Sequence, residues 1–352
     1  MKNGVSKLRF VRSLLTDLVL IPAFLFSLFN AGLVTYGIRM GKGQLTIVWE
    51  ARGFEEVFAD PTVSDSIKSK LHLIEEIKQF AYDSIGLKHS DNYTTFFDQK
   101  DQRLMYVVTA SEKFDLKPYK WKFPVVGEVP YKGFFDPEKA KEEYYRLKLL
   151  GMDVDVGGAS GWSTLGWFKD PVLSSMLKRS EAELAELIIH ELTHGTLFVK
   201  DSVEYNENLA QFVGVEGAKW YLRSKYGADS KELQSYLTSM KEDDIKSNFM
   251  LQQAKFLDTI YSHFEPTMSF KEKLLLKKKS YLVIWERARK LELKSDPSYA
   301  DRVLHKIARS GNTVFLQYTR YEGKQDDFYD EFELCKNDLN LFVKTMVGKY
   351  GI

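Results

Sequence analysis

The chain has 352 residues, 44% of them apolar, with 50 Lys and Arg against 49 Asp and Glu. That length suits one large domain or two small ones, and the even charge balance removes the electrostatic basis for binding nucleic acid. A single cysteine, Cys335, excludes an internal disulfide framework and a cysteine-based zinc site.

The N-terminus reads as an address. Lys2, Lys7, Arg9 and Arg12 precede an apolar run from Leu18 to Ile38, and no acidic residue falls within positions 1–16. The run is about long enough to cross a bilayer as a helix. The basic residues before it favour a cytoplasmic N-terminus with the rest of the chain outside. Residues 1–40 are therefore expected to form a transmembrane anchor, with a cleaved signal peptide and a secreted product as the competing reading.

Beyond residue 40 no linker or repeat interrupts the chain, so 41–352 reads as one unit. Apolar spacing predicts helices over 44–58 and 64–85, the latter through Ile67, Leu71, Ile74, Ile77 and Phe80. Strands are expected over 104–109 and, broken by Pro124 and Pro130, over 123–135. Pro137 to Leu150 is a helix with Pro at its first position. Met152, Val154 and Val156 alternate with Asp153 and Asp155, the period-two pattern of a half-buried strand that Gly157-Gly158 ends. Residues 162–168 read as a further strand. From Ser180 the pattern is helical, over 180–197, 202–225, 229–241, 244–262, 268–291, 297–322 and 326–347. A mixed part (41–179) followed by a helical part (180–352) makes a helix-rich α+β fold with a small mixed sheet.

The chemistry lies at His190-Glu191-Leu192-Thr193-His194. On a helix, positions i and i+4 share a face one turn apart, so both imidazoles reach one ion while Glu191 sits on the adjoining flank. Ser180 and Glu183 form a capping box at the start of that helix. Leu184, Leu187, Ile188, Ile189 and Leu192 make it apolar nearly all round. Two imidazoles and a carboxylate buried on such a helix need something to satisfy them, and a divalent metal does.

A catalytic zinc site takes three protein ligands and keeps an open position. A third histidine at the spacing HExxHxxGxxH is absent, because position 197 is Leu and position 200 is Lys. Asp201, Glu204, Glu207 and Glu216 are the carboxylate candidates on the next helix. Glu207 is the best placed, thirteen residues after His194, which leaves room for a short turn and a return helix. Ala210 on the neighbouring turn lets the helices approach. Asp201 reads better as the N-cap of that helix, with Glu204 as its capping partner. The mechanism expected from these parts has zinc polarising the scissile carbonyl and activating water. Glu191 then takes the proton and passes it to the leaving amine.

Several blocks resemble the bacterial putative aminopeptidase family, which belongs with the HExxH…Glu zinc peptidases, the gluzincins. They are Gly43-Gln44-Leu45, Phe58-Ala59-Asp60-Pro61, Trp121 to Gly127, Tyr131-Lys132-Gly133, Ser163 to Phe168, Asp170 to Leu173, the His190 motif, Val199-Lys200-Asp201 and Asn206-Glu207. The resemblance implies a gluzincin-like domain, a peptide substrate, Zn2+ as cofactor and Glu207 as third ligand. It further implies that the strand carrying Ser163, Thr164, Leu165 and Gly166 pairs with extended substrate. Asn312 and Tyr321 also look like family positions, with Tyr321 as oxyanion donor. Two departures stand out. Many relatives carry a lipid-attachment Cys after the apolar run, and this chain has none. In familiar gluzincins an acid follows the third ligand by four, and here position 211 is Gln. The expected protein is a zinc peptidase anchored in the bacterial cytoplasmic membrane, facing outward, with no obligate protein partner. A catalytically inactive peptide-binding scaffold is the alternative, against which the intact Glu191 argues.

Overall fold

The computed structural model describes residues 31–123, 127–158, 169–200, 202–316, 318 and 326–350. Its first helix, α1 (Ala31–Glu50), runs across the expected boundary at 40/41 without a break. The Tyr36 hydroxyl already donates to the Gly133 carbonyl, and Ile47 is buried in the main core. The packed unit therefore begins no later than Tyr36. Most of the expected anchor, residues 1–30, lies outside the described residues. Among the described residues no helix is long and apolar enough to cross a membrane.

The helix expected over 44–58 stops at Glu50. Arg52–Gly53 (β1) is extended instead and pairs antiparallel with Thr95–Phe97 (β2), and a short helix, α2 (Phe54–Ala59), follows. Helix α3 (Asp65–Phe80) starts where the Ser64 hydroxyl accepts the Ile67 amide. It buries Leu71, Ile74 and Ile77 completely. Each such side chain contributes about 1.5–3 kcal/mol. The helix widens into a π turn at Ala81–Ile85 and ends at Gly86.

One small mixed sheet was expected, and among the described residues there are three small sheets instead. In the largest, β3 (Tyr106–Ser111) lies between β6 (Lys132–Phe134) and β7 (Asp153–Gly158) and is antiparallel to both, with Tyr106 opposite Phe134 on one side and Gly158 on the other. Strand β4 (Trp121–Phe123) pairs antiparallel with β5 (Gly127–Val129). Val172–Leu173 (β8) adds to β2 in parallel. Helix α4 (Pro137–Leu149), capped by Asp136, covers the larger sheet and closes a core of Val108, Ala110, Ala140, Leu147 and Val154. Strand β7 takes in Gly157 and ends at Gly158. Its aspartate face is not open to solvent, since Asp153 is only 4% exposed.

The helical half holds α5 (Glu181–Thr196), α6 (Val203–Tyr226), α7 (Lys231–Ser262), α8 (Phe270–Ala288), α9 (Tyr299–Ser310), α10 (Thr313–Leu316), α11 (Asp326–Leu334) and α12 (Leu339–Tyr350). The two helices expected over 229–241 and 244–262 are one, α7. Glu242, at the expected break, is buried and accepts the Lys294 and Ser295 amides. The helix expected over 297–322 breaks at Gly311, and that over 326–347 breaks where Lys336 and Asn337 take positive φ of 58° and 57°. The main core joins α3, α5, α6, the start of α7 and α12, around Leu184, Ile188, Phe212 and Phe342. A second core forms where the far half of α7 meets α8, α9 and α10, around Leu257, Ile284, Ile307 and Phe315.

Candidate metal centre

Helix α5 carries the motif, and its start is fixed as expected: the Ser180 hydroxyl accepts the Glu183 amide while the Glu183 carboxylate accepts from the Ser180 amide and hydroxyl. Leu184, Ala185, Ile188, Ile189 and Leu192 seat the helix in the core. That seating turns His190, Glu191 and His194 toward a partly open side. The two imidazoles meet edge to face, with their Nε2 atoms 3.2 Å apart.

The chain then turns and returns as α6. Asn206 holds the turn: its side-chain oxygen accepts the Val199 amide and its nitrogen donates to the Val199 carbonyl, both at 2.8 Å. Asn206 is 2% exposed, so this clamp is dry and rigid. The next residue, Glu207, is thereby aimed back at the histidines. Its two oxygens lie 3.7 Å from His190 Nε2 and 3.5 Å from His194 Nε2. Helices α5 and α6 approach closely because Gly214 faces His190. A Cβ there would sit 2.9 Å from the Glu186 carbonyl oxygen and 3.1 Å from His190 Cβ. The expected spacer, Ala210, is fully buried in the same helix, yet Gly214 is the residue against which the motif packs.

The three residues fit a zinc ion. Two ligands at about 2.0–2.1 Å from zinc, separated by a tetrahedral angle, lie about 3.3–3.4 Å apart. The observed separations of 3.2, 3.5 and 3.7 Å bracket that value. Two imidazoles and one carboxylate also form the donor set that zinc favours. Among the described residues, His190, His194 and Glu207 are the group of three side chains placed to hold an ion. The other carboxylates weighed for the third position do not join them. Glu216 pairs with Lys219 at 2.7 Å, Glu204 lies in the first turn of α6, and Asp201 lies outside the described residues. Ser202, not Asp201, is the N-cap of α6.

Electrostatics at the site follow from burial and crowding. Burial lowers the His194 pKa, and the neighbouring His190 lowers it further, which favours the neutral ring a metal needs. The neighbouring His190 ring, with His194 beside it, holds the Glu207 carboxyl below its usual range against partial burial. Burial raises Glu191, and although His190 pulls the other way, the charges of Glu207 and Asp170 add to the rise.

Glu191 has a neighbour that sequence reasoning missed. Tyr93, 1% exposed, lies beside it: burial raises the Tyr93 hydroxyl pKa, and the Glu191 charge adds to the rise. The ring comes from the loop before β2, and its backbone is left-handed, at φ 58°. That conformation costs about 1–3 kcal/mol for a bulky residue. No periodicity or motif marks Tyr93, because its place beside Glu191 depends on a segment far along the chain. Gly214 was more legible: a glycine inside a helical pattern costs about 1 kcal/mol against Ala and calls for a packing reason. Gln211 stands where an acid was looked for, and it donates to Glu186, as does the Tyr236 hydroxyl, at 2.8 and 2.6 Å. It ties α6 to α5 rather than supporting a ligand directly.

Other expected site residues fall elsewhere. Asn312 is fully buried, accepts the Tyr261 hydroxyl and donates to the carbonyls of Glu112, Lys113 and Asp115. Its amide is thus fully engaged in hydrogen bonds within the chain. Ser163, Thr164, Leu165, Gly166 and Tyr321 lie outside the described residues.

No curated protein and no solved structure matches the chain. A family model described as "Putative aminopeptidase" matches residues 35–348, from the first packed turn of α1 almost to the end of α12. The chain belongs to this putative aminopeptidase family, a family of peptidases.

Proposed function

We propose that this chain is a zinc-dependent peptidase in which His190, His194 and Glu207 hold the ion and Glu191 is the general base. The observation that supports it most is the agreement between the three donor separations and a tetrahedral zinc site. A zinc ion held there supplies Lewis acidity toward the scissile carbonyl and the attacking water. The remaining work belongs to the chain. Glu191 takes the proton of the attacking water and delivers it to the leaving amine. Burial raises its pKa, with the Glu207 and Asp170 charges adding to the rise, and that direction makes it a better proton acceptor. Asn206 keeps Glu207 on the histidines, and Gly214 lets the two helices close to ligand distance. The same reading makes extended peptide the substrate and has the catalytic unit tethered outside the bacterial cytoplasmic membrane through the part of the apolar run from Leu18 that precedes the packed Tyr36.

The test pairs metal analysis with hydrolysis. Protein purified without added metal should carry about one equivalent of zinc. Against a panel of N-terminally free and N-blocked fluorogenic peptides, Glu191→Gln should keep its zinc and lose about 10²–10⁴-fold in kcat. Full activity in Glu191→Gln removes the base from the mechanism. Protein that binds no zinc removes the metal.

A further inference from the structure

A cavity of about 1110 Å³ lies between α1, the turn after β2, β6 and α4, and none of the metal-centre residues lines it. Small-molecule sites usually measure about 300–1,000 Å³. Two contacts hold α1 over it. The Tyr36 hydroxyl donates to the Gly133 carbonyl at 2.9 Å, and Gly43 brings the helix so close to the Phe135 ring that a Cβ there would overlap it. Much of the lining is apolar, through Tyr36, Met40, Ile47, Phe97, Leu104 and Phe135. Its charges do not balance, because most of the carboxylates are spent within the chain. Glu143 accepts the Trp121 indole at 2.6 Å and the Arg146 guanidinium at 2.7 and 2.8 Å. Glu142 takes Lys139 at 2.6 Å, Asp136 caps α4, and Asp98 accepts the Lys100 amide at 2.9 Å. Arg39, Lys42 and Lys100 line the same cavity and form no ion pair among the described residues, with Glu50 as the remaining acid. Lys132 adds a cation, set over the Tyr36 and Phe134 rings at 5.2 and 5.4 Å. Lys100 is delivered by a turn in which it and Asp101 are left-handed, at φ 49° and 57°. Two such residues in a row persist only where their surroundings impose them. Here the Gln99 side chain takes the Ser175 amide at 2.9 Å and Asp101 takes Lys178 at 2.7 Å.

We propose that this cavity binds an anionic amphiphile, an alkyl or acyl chain that ends in a phosphate or carboxylate. The apolar lining takes the chain, and Arg39, Lys42 and Lys100 take the head group. A bare anion gains little from exposed cations that water already satisfies. A neutral apolar molecule leaves those cations unused. A chain seated on the rings holds its charged end among all three, so burial and charge act together. The proposal stands apart from the zinc-peptidase reading, since it uses none of that site's residues.

Calorimetric titration of the full chain with dodecyl phosphate, kept below its micellar concentration, should show one saturable site. Octyl phosphate should bind about 100-fold more weakly, because the shorter chain buries fewer methylenes. Inorganic phosphate should not bind measurably. The triple variant Arg39→Gln, Lys42→Gln, Lys100→Gln should weaken dodecyl phosphate about tenfold or more. The charge-keeping triple Arg39→Lys, Lys42→Arg, Lys100→Arg should bind like wild type. Thr46→Trp, which fills the cavity from α1 and alters no charge, should abolish binding. Absence of a saturable site overturns the proposal. So does equal binding by wild type, the Gln triple variant and Thr46→Trp, which marks adsorption elsewhere on the chain. Two competitors then separate the sources of such a ligand. Vesicles of phosphatidylglycerol, measured against phosphatidylcholine vesicles, report a membrane lipid, and laurate reports a free acyl anion. Displacement by either keeps the proposal and names the source, whereas displacement by neither overturns it.

Discussion

Two polar clusters sit inside this molecule, and they are built on opposite plans. Around Asp153, each charge meets its complement within the chain. The carboxylate takes Lys277 at 2.5 Å, Lys113 at 2.6 Å and the Asn312 amide at 2.8 Å, and Lys277 also reaches the Lys113 carbonyl. Around His190 the chain assembles three acceptors facing one another, two imidazole nitrogens and a carboxylate, within 4.8 Å. The first arrangement is closed: donors and acceptors pair off, and the cluster joins β7, α8 and the α9–α10 turn. The second is balanced only when a proton or a cation is shared among its members. A polar cluster that serves the fold satisfies itself, whereas one that serves chemistry leaves its partner to be supplied.

Substitutions can break that contrast. The largest effect is expected at the closed cluster. Asp153→Asn leaves Lys277 buried without an anion and should cost about 3–5 kcal/mol of unfolding free energy at pH 7, measured by urea denaturation. His194→Ala in metal-free protein should cost less than about 1 kcal/mol by the same measurement, since Glu207 is more than half exposed and no buried charge is left without its partner. Equal losses would erase the distinction.

The next effect sharpens it. Zinc at a hundred times its dissociation constant should stabilise the wild type by about 2.7 kcal/mol. Asp153→Asn should show the same increment, and His194→Ala should show none. Thermal shift with and without the ion reads both. A zinc increment lost in Asp153→Asn would mean that the clusters act as one.

The smallest effect is a dependence on pH. Burial raises the Asp153 carboxyl, but Lys277 and Lys113 outweigh burial and hold it below its ordinary value. A depressed folded pKa contributes stability above the unfolded value, about 3.9, which is lost as pH falls through the folded value. The wild type should therefore lose stability below about pH 4, by at most about 1.4 kcal/mol per pH unit from this group. Asp153→Asn should lack that component. An unchanged acid profile in the variant would show that Asp153 is not the group responsible.

Much of the site was legible because its signals are local. The capping box of α5, the one-turn spacing of His190 and His194 and the return distance to Glu207 all lie within about thirty residues, where helix geometry does the prediction. The same holds for α3 and α4, whose caps and apolar spacing appear in the chain. Features set by distant contacts were not legible. The break expected between 241 and 244 does not occur, and Glu242 there is buried because the Lys294 and Ser295 amides are brought to it. Asp153 and Asp155 read as a solvent face until Lys277 and Ser310 cover them. Gly311 sits within an apparently continuous helix, yet its φ is +63° and a Cβ would meet the Asp153 carboxylate at 2.0 Å. Tyr93 belongs to the same class, for it is buried beside Glu191 only once its loop meets α5.

Helix α7 is 32 residues long, roughly 48 Å at 1.5 Å per residue. Near its start Tyr236 donates to Glu186 beside the motif, and near its end Tyr261 donates to Asn312. Leu233 belongs to the main core, while Phe249, Met250 and Leu257 belong to the second. The seam between the two halves of this protein thus runs through the middle of one continuous rod. Neither half can be excised as a free-standing module without stripping the rod of the surface that half covers, so the molecule is divisible to the eye but not by truncation.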